Sequence, residues 1–136
     1  MEIIIQLIIG TGGWWVLHIL AVRREIRASW RKFAQEAAKD VESLEDIALT
    51  YHQSKSRDIL AEETIFKYLN RLENKLYILD THLEDINLRT FNSLKAAITA
   101  HNFQTQNFKP QTSKSLILKS IMAWSSHLIG ELYQAH

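Results

Sequence analysis

Residues 3–22, IIIQLIIGTGGWWVLHILAV, contain no Asp, Glu, Lys or Arg and run directly into Arg23-Arg24. Twenty residues at about 1.5 Å rise make a helix about 30 Å long, the thickness of the hydrocarbon core of a bilayer. The stretch predicts a transmembrane helix of minimal length. A cleaved signal peptide would carry a basic start and a small-residue cleavage site, whereas this chain begins Met-Glu-Ile, so we expect a retained anchor. The flanks set its direction. Residues 23–32 (RREIRASWRK) hold five basic residues and one acid, against a lone Glu2 on the other side. Because positive flanks stay in the cytoplasm, the expected location is the inner (cytoplasmic) membrane, N-terminus outside and the bulk of the chain cytoplasmic.

The anchor, residues 1–22, is not uniformly apolar. Gln6, Thr11 and His18 are polar positions inside it, and Trp14 and Trp15 fall near its middle although Trp favours the interface. Gly10 and Gly13, with small residues between them, would let a second membrane helix approach closely. The bland alternative is that glycine is simply common in membrane helices. An ionisable group in a membrane segment is a functional-site hypothesis by default, but His18 lies close to the basic flank, where an interfacial histidine is the simpler account. The collar residues Arg23, Arg24, Arg27, Arg31 and Lys32 are expected to meet anionic headgroups, at about 1 kcal/mol each. A nucleic-acid reading of the collar is weaker, since membrane proximity already explains it.

Beyond the collar, residues 23–136 read as a cytosolic bundle of three to four helices. The full chain has 136 residues, 46% hydrophobic and 23% charged, with one Pro, four Gly and no Cys. So few turn formers exclude an all-β fold, and the missing cysteines exclude disulfides, thiolate metal sites and cysteine nucleophiles. Apolar residues recur at Ile26, Trp30, Phe33, Ala37, Val41, Leu44, Ala48 and Tyr51, in steps of three and four that trace one helix face. Nothing between Val22 and Ile26 would break that helix, so anchor and bundle should share one rod to about His52. Ser56 or Asp58 then caps a second helix, expected at about 58–87.

That second helix has the cleanest pattern. Ile65, Leu69, Leu72, Leu76, Leu79, Leu83 and Ile86 form a heptad seam, which is either internal core or a surface for a partner. Asn87 or Thr90 caps a third helix bearing Phe91, Leu94, Ile98 and Phe103. Residues 104–112 hold the only proline and form a loop. A last helix, about 113–134, presents Leu118, Ile121, Met122, Ser125, Leu128, Ile129 and Leu132. Its Lys114, Lys119, His127 and Glu131 argue for a core-facing amphipathic helix over a second span. Residues 33–86 carry six basic and twelve acidic residues, and 87–136 carry five basic and one acidic. The acidic middle is therefore expected to pair with the basic C-terminal third inside a bundle, or with a neighbouring copy.

Chemistry is sparse. GTGG at 10–13 follows no strand and precedes no Lys-Ser/Thr, so it is not a phosphate loop. The six histidines make neither H-E-x-x-H nor a Glu-x-x-His pair. Apart from the interfacial His18, they are expected at the solvated surface, as are Glu42, Glu45, Asp46, Glu62 and Glu63. No serine sits on a strained Gly-x-Ser-x-Gly turn. We expect no enzyme activity, no metal, no cofactor and no small-molecule substrate.

The stretch GGWWVLHILAVRREIR at 12–27 resembles the start of small, uncharacterised bacterial membrane proteins. In these, an apolar segment ending in Gly-Gly-Trp-Trp and a nearby His runs into an arginine pair and a helical cytosolic domain. The likeness covers about the first thirty residues, and the asparagine-rich stretch typical after the arginines is replaced here by RASWRKF. It implies the topology and a bacterial or phage origin, and no activity; a role in a phage-defence system is the guess it leaves. Three function classes follow. The first is a non-enzymatic, membrane-anchored interaction module that self-associates as a homo-oligomer or binds a protein partner. The second is a membrane-perturbing oligomer or channel, with Gln6, Thr11 and His18 lining a polar path. The third is a soluble helical subunit whose first helix is buried in a complex.

Overall fold

A computed structural model describes the backbone of residues 2–136 and the side chains of residues 10–136. The fold is all-α: α1 (Glu2–Gln53), α2 (Ile59–His82), α3 (Leu88–Thr99) and α4 (Leu116–Gln134). As expected, α1 is one continuous rod, 52 residues long, or about 78 Å at 1.5 Å per residue. Its C-terminal half packs against both α2 and α4, and α3 closes the bundle mainly against α4.

Local chemistry places the helix ends. Asp58 caps α2, its carboxylate accepting from the Ala61 N–H at 3.1 Å. Asn87 caps α3 by accepting from Arg89 N–H, and Ser115 caps α4 by accepting from Ile117 N–H. Each cap satisfies one amide that the helix itself leaves open.

The core forms where the apolar stripes meet. Ala34, Ala37, Ala38, Val41, Leu44, Ala48 and Tyr51 of α1 are buried against Ile65, Leu69, Leu72, Leu76 and Leu79 of α2. Phe91, Leu94 and Ile98 of α3 and Ile121, Leu128 and Leu132 of α4 complete it. The heptad seam thus lies in the core of this chain. Small alanines at 34, 37 and 38 line α1 where it is most enclosed, which lets neighbouring helices approach closely.

Three boundaries differ from expectation. The second helix ends at His82, not near 87: Leu83 is its extended C-cap, and Asp85 takes a left-handed φ of 65° that no helix continues through. Leu83 nevertheless stays in the core and Ile86 packs against it, so the spacing of the seam outlasts the helix. The loop expected at 104–112 extends from 100 to 115, with Phe103 buried inside it. The bundle itself starts later than residue 23, because every side chain from Gly10 to Ser29 is exposed and Trp30 is the first to be half-buried.

The charge pattern also resolves differently. The ion pair joining two helices, Lys75–Asp40 between α2 and α1, lies within the acidic middle. From the basic C-terminal third, the side chain that comes within ion-pair distance of an acid of that block, among the described residues, is His136, at Glu84 and Asp85.

Candidate functional site

The exposed N-terminal arm of α1 is the most unusual surface of the molecule. Trp14, Trp15, Val16, Leu17, Ile19, Leu20 and Val22 are all exposed, and they surround the helix on every side. A helix apolar all round belongs inside a protein core or a membrane, not in water. A β-carbon built at Gly10, Gly12 or Gly13 would meet nothing within 4 Å, so the small-residue face is open. Trp14 and Trp15 meet edge to face, and His18 stacks one turn on at 5.4 Å from Trp14, nearly parallel. His18 is thereby held against its own helix, and Thr11 is exposed on the arm. Gln6 lies outside the described side chains. Among the described residues no helix is long and apolar enough to cross a membrane; residues 3–9 of the apolar run are not among those side chains.

The collar follows the arm. Arg23, Arg24, Arg27, Arg31 and Lys32 are exposed, and none makes an ion pair among the described residues. At spacings of three and four, Arg24, Arg27 and Arg31 line one helix face together with Ala28 and Gln35. Where the collar meets the bundle, a cleft of about 420 Å³ opens between α1 and the turn after α2. Trp30 forms one wall, stacked on His82 at 3.8 Å with the rings 11° from parallel. Ile26 and Leu83 give it an apolar side, and Arg27, Arg31, Glu84 and His136 a polar one. The His136 backbone carbonyl accepts from the Glu84 N–H at 2.6 Å, which ties the end of the chain to this turn.

Two buried polar networks hold the opposite end of the bundle, and both correct the expectation that these groups face solvent. Glu62, only 2% exposed, accepts from the Tyr51 hydroxyl at 2.7 Å and from Arg57 at 2.7 and 3.0 Å. The Arg57 fork holds the Glu62 carboxyl below the usual carboxylate range, against the opposing effect of burial. Burial, and then the neighbouring Glu62, push the Tyr51 phenol up to about 12.

The second network centres on His52, which is fully buried. Its Nε2 lies 2.9 Å from the Ile98 carbonyl, so that nitrogen carries the proton and donates. Its Nδ1 accepts from the Asn102 amide at 3.2 Å. Asn102 also makes two bonds with the Lys109 backbone, and Gln111 N–H donates to the His52 carbonyl. The long loop is thus fastened to the end of α1, with left-handed residues His101 and Gln104 turning the chain on either side of Asn102 and Phe103. Burial pushes the His52 pKa down. Glu45, half-buried on α1, is pushed up by the same cause.

Among the described residues no cluster of three or more His, Asp or Glu could hold a metal ion. The networks join helix ends to loops, and their residues have structural partners on every side.

Compared with protein-family models, with curated proteins and with solved structures, the chain matches none.

Proposed function

We propose that the protein is a non-enzymatic, membrane-anchored interaction module: the arm of α1 enters the inner membrane, the collar lies at the headgroups, and the bundle stands in the cytoplasm. The observation that carries this reading is the exposed arm, apolar on every face and ending in five basic residues that make no ion pair among the described residues. Covering a large apolar side chain is worth about 1.5–3 kcal/mol. For seven such side chains already about half covered, bilayer entry gains on the order of 10 kcal/mol. Residues 23–29, about 10 Å of helix, separate the apolar run from the bundle. That spacing suits a headgroup layer between hydrocarbon and a folded domain. The open face at Gly10 and Gly13 supports self-association through the arm.

A buried arm in a soluble complex is the competing reading, and it draws on the lack of a spanning helix among the described residues. Alkaline carbonate extraction of membranes from expressing cells separates the two. A spanning arm keeps the chain in the pellet, and a partner-buried arm releases it to the supernatant.

A further inference from the structure

We propose that the cleft between the collar and the turn after α2 is a binding site for one anionic phospholipid. The inference rests on the anchored reading above. In that placement the cleft sits where the collar crosses the headgroup layer. Arg27 and Arg31 are one turn apart on the same side of α1, line the cleft together, and have no carboxylate partner among the described residues. Two guanidinium forks at that spacing match the non-ester oxygens of a phosphodiester, which each can grip bidentately. The apolar side of the cleft begins at Ile26, which is half exposed and is continuous with the apolar arm below it. A ligand with a phosphate at one end and hydrocarbon running toward residue 22 would satisfy both halves. A free phosphate would satisfy only the arginines.

The remaining walls are built to stay in place. Trp30 is fixed between His82, stacked on it, and Phe33, edge to face at 6.0 Å. Glu84 is the one acidic lining residue, and it faces His136 Nε2 at 3.6 Å. The two arginines, which pair with no carboxylate among the described residues, outnumber the single Glu84 carboxylate of the lining, so the cleft attracts a phosphate.

The test uses the full chain in a neutral detergent, with phosphatidylcholine and phosphatidylglycerol supplied in equal amounts, and counts retained lipid by native mass spectrometry. The proposal expects one phosphatidylglycerol per chain, in preference to phosphatidylcholine. Arg27→Gln/Arg31→Gln should lower its retention about tenfold or more, the scale of losing charge-assisted bonds. Lys109→Gln/Lys114→Gln removes the same charge from the exposed loop before α4, away from the cleft and the collar, and should leave retention within about twofold. Ile26→Ser should weaken lipid retention and leave any binding of inorganic phosphate unchanged. Equal loss in the two double variants would overturn the proposal, since it would mean net charge alone. So would retention that inorganic phosphate at equal concentration displaces, because the hydrocarbon half would then contribute nothing. Unchanged circular dichroism of each variant checks folding. Because the assay is done in detergent, chain that carbonate extracts from membranes yet still holds one lipid would fail the anchor and keep the cleft. Chain that resists carbonate and holds no lipid would do the reverse.

Discussion

Replacing Glu62 with Ala removes the acceptor shared by Tyr51 and Arg57 and tests whether this network, not packing alone, joins α1 to α2. Tyr51 is 1% exposed, so its hydroxyl would be left in an enclosed site without the carboxylate. An orphaned buried donor costs about 1–3 kcal/mol. Glu62 also lies in the first turn of α2, where a negative charge contributes about 0.3–1 kcal/mol through the helix dipole. The half-exposed Arg57 can turn to water and adds little. The expected loss is about 3 kcal/mol, or roughly 10 °C in Tm for a bundle of this size. Tyr51→Phe is milder, about 1–2 kcal/mol, because Glu62 keeps both Arg57 bonds. In the Tyr51→Phe background there is no hydroxyl to orphan, so Glu62→Ala should cost about 1–2 kcal/mol less than it does alone. The assay is a double-mutant cycle on the full chain in mild detergent, followed by thermal and urea unfolding. Additivity within about 0.3 kcal/mol would refute a coupled network.

Other outcomes follow from the same geometry. Leu72→Ala and Leu44→Ala empty fully buried sites and should each cost about 2–5 kcal/mol. Leu17→Ala should leave bundle stability unchanged in the same unfolding assay, because Leu17 is exposed on the arm. Stability should respond to pH on three sides. The lowered Glu62 pKa means the unfolded state takes up a proton first, so stability from this carboxylate is present above about pH 4.5 and lost as pH falls further. For His52, also lowered, the loss begins below about pH 6.5, and His52→Gln should flatten that limb of the unfolding profile. The raised Tyr51 pKa reverses the sign: its contribution is present below pH 10 and is lost as pH rises toward about 12. Gly10→Leu/Gly13→Leu should abolish chemical crosslinking between copies while the chain stays in the carbonate-washed pellet.

What the sequence carried legibly was anything expressed as spacing along one helix. The stripe from Ala37 to Tyr51 and the seam from Ile65 to Leu79 are buried as their periods require, while Trp30 and Phe33 are half-buried and Ile26, the first position of the stripe, is exposed. Caps with a side-chain mechanism, Asp58 and Asn87, were legible for the same reason: the acceptor is three residues or fewer from its donor. The end of α2 was not, because Leu83 and Ile86 keep the apolar period although the helix ends at His82 and the backbone turns at Asp85. The cap at Asn87 was the available signal, since a helix beginning at Leu88 leaves no room for α2 to reach 87. Ile86 and Phe91 also occupy the flanking positions of a hydrophobic staple around that cap.

Long-range polar partners left no trace in local pattern. His52 meets Ile98 and Asn102, 46 and 50 residues away, and only the packed fold brings them together. Glu62 looked solvent-facing beside Glu63, yet a step of about 100° along α2 leaves one buried and the other exposed. Its position three before Ile65, on the seam's own face, was the clue. The cleft at the collar combines residues from α1, the α2–α3 turn and the end of the chain. Of these the arginines stood out beforehand as charge, and Ile26, Trp30 and Leu83 as members of apolar stripes, but nothing in the sequence joined them into a shaped site.

The central claim is that the arm lies in hydrocarbon and the bundle in water. The chain has no native cysteine, so Leu17→Cys and Ser56→Cys give single labelling sites, the first on the arm and the second in the exposed turn between α1 and α2. Each would carry a nitroxide, on the purified full chain in phosphatidylglycerol-containing liposomes, and its relaxation by oxygen and by a water-soluble nickel complex would report depth. The account predicts strong oxygen and negligible nickel relaxation at 17, with the opposite at 56. Nickel relaxation at 17 as strong as at 56 would contradict it.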